Sequence, residues 1–191
     1  MKKLFLVLLV SALVGKSAFA IDIMSFPPSV NPGDVLINAG LGVRGAPAGF
    51  ISLSRAMSPP PLVASVDFAL PIEVPISVGA FIGYQRWRND DEPWFDDEPV
   101  ATVTSIIFGG RANWHWNIDI EALDLYTGIF LRHNTAVTAL WAGYGRIDSI
   151  GGFEFGVQLG ARYFFTENVG AVVEVGLPFM AMAGITFRFQ P

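Results

Sequence analysis

FEFGVQLGARYFFTENVGAVVEVG, residues 153–176, alternates with period two over most of its length. Phe153, Phe155, Val157, Leu159, Ala161 and Tyr163 share one parity, and no charge falls among them. Glu154, Gly156, Gln158, Gly160 and Arg162 share the other. Successive side chains of a strand point to opposite faces, so the stretch makes one apolar face and one face of charges, amides and glycines. Glu167-Asn168 marks a turn. Ala171, Val173, Val175 and Leu177 then oppose Glu174 and Gly176, which completes a hairpin.

The same pattern recurs along the chain. It predicts strands over about 34–43, 62–70, 76–87, 100–116, 123–133, 151–165, 171–177 and 181–189. The turns at 71–75, 117–122 and 166–169 are short. The segments 44–61, 88–99 and 134–150 read as loops. The 123–133 run is ambiguous, because Tyr126 and Phe130 would suit either face. Reading FISLSRAM (50–57) and VTALWAGYGR (137–146) as strands would make ten. It would also move the acidic loop to the other end, so eight is the preferred count.

The N-terminus, MKKLFLVLLVSALVGKSAFA, has two lysines, an apolar run and Ala18-Phe19-Ala20. It reads as a cleaved signal peptide over residues 1–20. Residues 21–33 carry three prolines and read as a periplasmic leader unable to join a ladder. The barrel is expected over 34–191. Without Lys2, Lys3 and Lys16, nine arginines face 17 acids, a net charge of −8. That balance does not suit nucleic acid. The chain has no cysteine, which excludes disulfides and cysteine metal sites. No cofactor and no metal site is expected.

A composition 52% hydrophobic, with no helical apolar span after the leader, is reconciled by a membrane-embedded sheet. The fold expected is all-β: an eight-stranded antiparallel up-and-down transmembrane β-barrel. Its inward face would hold a charge network of Asp34, Asp67, Arg111, Asp124, Arg132, Glu154, Gln158, Arg162, Glu174 and Arg188. Unpaired charges in a narrow lumen are costly, so pairing is expected, with the interior filled by its own side chains. Trp87, Trp114, Trp116, Tyr126, Tyr163, Phe164 and Phe189 are candidates for the interfacial girdles. With both termini in the periplasm, the short turns face inward and the long loops outward. One outer loop, DDEPWFDDEP, exposes Asp90, Asp91, Glu92, Trp94, Phe95, Asp96, Asp97 and Glu98. Its spacing is not that of a metal loop.

The segments GDVLINAGLGV, PPPLVASVDFALP, ISVGAFIGYQRW, GGRANWHW, LDLYTGIFLRH, GVQLGARYFFTENVGAVVEVG and ITFRF make the chain resemble the small outer-membrane β-barrels, the OmpA-like, OmpX-like and OmpW-like group. The resemblance implies outer-membrane lipid as surroundings and insertion by the barrel assembly machinery, which reads a terminal aromatic strand. Here Phe189 is followed by Gln190 and Pro191, a departure from that signal. An OmpW-like barrel implies passage of small hydrophobic solutes, with VTALWAGY (137–144) as an apolar entrance. The alternative is an interaction protein that meets an extracellular partner through its loops. A rim enzyme built on His133, Asp148 and Ser149 is the remote third reading, and no catalytic residue is assigned.

Overall fold

The computed structural model describes residues 25–44, 60–89, 101–140, 147–177 and 180–190. The signal segment, FISLSRAM (50–57) and the acidic loop with Asp90 to Glu98 lie outside the described residues.

Eight strands close into one barrel: β1 (Val35–Arg44), β2 (Leu62–Ala69), β3 (Ile76–Asn89), β4 (Ala101–Trp116), β5 (Leu123–Leu140), β6 (Ile147–Phe164), β7 (Val169–Leu177) and β8 (Met180–Phe189). Each pairs antiparallel with its neighbour in sequence, and β8 returns to pair with β1. Closure leaves no lateral edge in the paired region, which is what permits a sheet in lipid. The alternation sorts the side chains. Ile82, Phe108, Ile129, Leu131, Phe155, Leu159, Val173 and Ile185 are exposed outside, while Asp67, Arg111, Asp124, Arg162 and Glu174 are buried inside. A soluble barrel would show the reverse.

The register sets who meets whom. One inward row runs Asp67, Gly79, Arg111, Phe130, Gly156 across β2 to β6. Another runs His115, Tyr126, Gly160, Glu174, Met182 across β4 to β8. In both, a glycine separates large side chains.

The strands differ in length. β2 has 8 residues and β7 has 9, against 18 each in β5 and β6. Pairing of β6 with β7 begins at Val157–Leu177, so Ile147–Gly156 pairs only with β5 among the described residues. Likewise, among the described residues, β3 beyond Tyr84 pairs only with β4. Among the described residues, strands β3 to β6 thus form a wall raised above the other four at the end opposite the short turns.

Two sequence expectations are corrected. The 134–150 loop is mostly strand: β5 continues to Leu140 and β6 begins at Ile147. The run NTAVTAL is β-branched and small, and a register shift between Ala136 and Thr138 absorbs its irregular alternation. Tyr126 and Phe164 are not girdle residues; both point into the lumen, with relative exposures of 0% and 6%. Tyr126 turns inward because its hydroxyl finds Glu174 there and Gly160 clears space for its ring. Trp114, Trp116, Tyr163 and Phe189 stay outside near the turn end.

Residues 25–33 make no strand. Instead they turn back across the turn end, with Val30 N–H bonded to Pro27 O and Gly33 N–H to Ala69 O. Gly33 has φ 92°, a left-handed conformation suited to glycine, where the segment turns into β1. Val30 packs with Leu36, Ala69 and Phe164, and Phe26 leans on that cluster.

Candidate functional site: the ionic lumen

The centre of the barrel is a connected network of ion pairs. Arg111 on β4 reaches back to β2. There its Nε donates to Asp67 Oδ1 at 2.7 Å and its Nη2 to Oδ2 at 2.6 Å. Across the lumen, its Nη1 donates to both carboxylate oxygens of Glu174 on β7, at 2.8 and 3.0 Å. Arg162 on β6 donates to Asp67 at 2.6 Å and to Asp124 at 2.7 Å. Its guanidinium also lies over the Tyr126 ring, 4.1 Å from the centroid. The planar five-donor fork of arginine suits such bridging.

The remaining lone pairs are used by neutral groups. Asn38 and Asn113 donate to Asp67. Gln158 joins through Asn113, at 2.6 Å. Tyr126 donates its hydroxyl to Glu174. His115 Nδ1 lies 2.7 Å from Asp124 Oδ1, and Nε2 lies 2.9 Å from Ser77 Oγ. A carboxylate can only accept, so the imidazole proton sits on Nδ1.

Desolvation of these charges is expensive, and the network offsets it by satisfying nearly every donor. Gln158 Oε1 is a buried oxygen without a partner among the described residues.

Glycines let the aromatics fill what is left. A Cβ on Gly160 would lie 2.1 Å from the Tyr126 ring, and one on Gly156 would lie 2.3 Å from Phe130. One on Gly109 would lie 2.8 Å from Phe81. Phe81 and Phe130 meet edge to face, with centroids 6.1 Å apart. This aromatic layer lies on the raised-wall side of the network, and Arg132 and Glu154 pair beyond it at 2.6 Å. The lumen is thus occupied in layers: leader, ionic network, aromatic pair and outer ion pair.

Ten residues were expected on the inner face as a charge network. Asp67, Arg111, Asp124, Gln158, Arg162 and Glu174 come together in one cluster. Arg132 and Glu154 form a separate pair, with the Glu154 side chain 39% exposed. Asp34 and Arg188 belong to the turn end. Asp34 accepts from Asn31 N–H at 2.8 Å, and Arg188 donates to the Ser29 carbonyl. Burial pushes the Asp34 carboxyl above its ordinary value, opposed by the Asn31 N–H and by Arg188.

Sequence reasoning left Asn38, Ser65, Ser77, Asn113, His115 and Tyr126 out of the network. Their signal was parity: all six sit on inward faces and are buried. For the rim-enzyme reading, His133 points outward. Its ring lies between Phe108 and Phe153, at 5.4 and 4.7 Å. The side chains of Asp148 and Ser149 lie outside the described residues.

A closed eight-stranded wall with an apolar outside and a paired ionic inside is the organisation of a transmembrane β-barrel. Its fold is that of the small outer-membrane β-barrels. Ail, the attachment invasion locus protein of Yersinia pestis, in complex with the heparin analogue sucrose octasulfate, is similar at a TM-score of 0.56 and 13% identity, covering 83% of this chain and 100% of that one. The N-terminal β-barrel domain of Pseudomonas aeruginosa OprF is similar at a TM-score of 0.51 and 16% identity, covering 83% and 98%. The sequence matches no protein-family model and no curated protein.

Proposed function

We propose that this protein is an outer-membrane anchor of a diderm bacterium that works through its outer end, as an interaction protein. In this reading the signal peptide exports the chain, the short turns face the periplasm and the raised wall faces out. The observation that carries it is the filled lumen. A diffusion path would have to cross the Phe81–Phe130 pair and the Arg111–Glu174 bridge.

What faces outward is the wall of β3 to β6 with the acidic loop between β3 and β4. The side of Ile147–Gly156 that has no partner among the described residues offers backbone groups to an incoming strand, as exposed sheet edges do. Phe153 beside it is 75% exposed.

The Ail complex holds a polysulfated sugar. Here six acids in residues 90–98, and a net charge of −8 once residues 1–20 are removed, favour a basic partner instead. No catalytic role is part of this reading. Cells displaying the protein should be retained by an immobilised basic protein and not by heparin, and deletion of residues 90–98 should abolish retention. Retention by heparin, or retention unchanged by the deletion, would overturn the proposal.

A second reading, passage of small hydrophobic solutes, is favoured by the low side of the wall. There β7 ends at Leu177 opposite Val157, which brings the aromatic layer close to the bilayer laterally. Liposomes carrying the protein should then take up a small apolar solute faster than empty ones. Equal rates would remove this reading.

A further inference from the structure

We propose that residues 25–33 form a stopper that seals the ionic network at the turn end and leaves as a unit while the strands stay paired. Its attachment is unlike that of any strand. Pro27, Pro28 and Pro32 have no N–H to give a ladder. The bonds Val30 N–H to Pro27 O and Asp34 N–H to Asn31 O close turns within the segment.

Side-chain and backbone contacts tie it to the barrel. Val30 sits in the socket of Leu36, Ala69 and Phe164. Arg188 donates to Ser29 O, Asn117 Nδ2 donates to Ser25 Oγ at 2.9 Å, and Gly33 N–H bonds to Ala69 O. Among the described residues, Ser29 Oγ, Asp34 Oδ1 and Arg188 Nε are buried at this joint without a partner. Such atoms regain hydrogen bonds when water enters, so the joint resists opening less than its buried area suggests.

The segment covers the network directly. The Phe26 ring lies 6.0 Å from that of His115, which is fully buried and is bonded to Asp124. His115 is therefore the first network group that water meets when the stopper leaves.

The chain has two histidines, one under the stopper and one on the outer wall, and it has no cysteine. The test uses the full mature chain folded in nanodiscs. Diethyl pyrocarbonate is added and each histidine is followed by mass spectrometry, with heat-modifiable gel mobility reporting the folded barrel. Val30→Asp should raise the His115 reaction rate by at least about 10-fold, leaving His133 and the folded band unchanged. In a second variant, a Ser25→Cys, Asn117→Cys pair cross-linked by a short bis-maleimide should suppress His115 reaction relative to the same variant blocked with N-ethylmaleimide. The proposal is overturned if His115 stays equally protected in folded Val30→Asp, or if cross-linked and blocked forms react alike. It is also overturned if His115 reacts only as the folded band disappears.

Discussion

Asp67 is the hub of the lumen, and Asp67→Asn tests whether the network stabilises the barrel. The substitution preserves size and removes one charge. Two arginines lose a shared partner: Arg111 gives Asp67 two hydrogen bonds and Arg162 gives it a third. Arg111 keeps Glu174, and Arg162 keeps Asp124. Three charge-assisted bonds at about 1.5–3 kcal/mol each set an upper bound of roughly 4.5–9 kcal/mol. Breaking one member of a buried pair costs about 3–5 kcal/mol in practice, so a loss of about 4 kcal/mol is expected. With a urea slope of about 2 kcal/mol/M, the midpoint should fall by about 2 M. The assay is reversible urea unfolding in lipid vesicles, followed by tryptophan fluorescence and gel mobility. Arg132→Gln is the internal comparison. Its partner Glu154 already reaches water, so a loss of under about 1 kcal/mol is expected. A loss for Asp67→Asn no larger than for Arg132→Gln would refute the reasoning, since burial would then confer no extra dependence on pairing.

Gly160→Ala should destabilise the barrel by about 1–3 kcal/mol in the same assay, because its Cβ meets the Tyr126 ring. Gly152→Ala should change stability by under about 0.5 kcal/mol, since a Cβ there meets nothing within 4 Å. Planar-bilayer recordings should show no steady channel for the native protein; long-lived openings would contradict the filled lumen. Burial raises the Asp34 carboxyl, so the folded state favours its protonated form. The stabilisation from protonated Asp34 is complete below the unfolded value near 3.8 and is lost as pH rises through the raised folded value. Asp34→Asn should therefore flatten the stability profile just above pH 4, and an unchanged profile there would remove Asp34 as its source.

Strand faces were legible because one parity of residues 153–163 carries every charge while the other carries none. The identity of the ion pairs was not. Arg111 and Glu174 are 63 residues apart and meet only because closure brings β7 across from β4. Tyr126 was ambiguous because an aromatic ring that carries a hydroxyl suits either face of β5. Its direction is decided by Gly160 and Glu174, on two other strands. Prolines announced that residues 21–33 would not be strand, yet proline chemistry cannot say where a segment packs. The length of β5 and β6 was missed for a further reason: above the apolar belt, small and β-branched residues need not alternate.

The unequal strands also bear on the bilayer itself. At about 3.3 Å per residue and a tilt near 40°, the 8 residues of β2 span roughly 20 Å of membrane normal. An outer-membrane barrel commonly presents an apolar band about 25 Å tall. Beside β2 and the 9-residue β7 the lipid must therefore thin by a few ångströms, while beside β3 to β6 it need not. The protein imposes a one-sided dent on its surroundings, at a cost of fractions of a kcal/mol per Å. Thinner membranes, or neighbours with an equally short flank, would lower that cost.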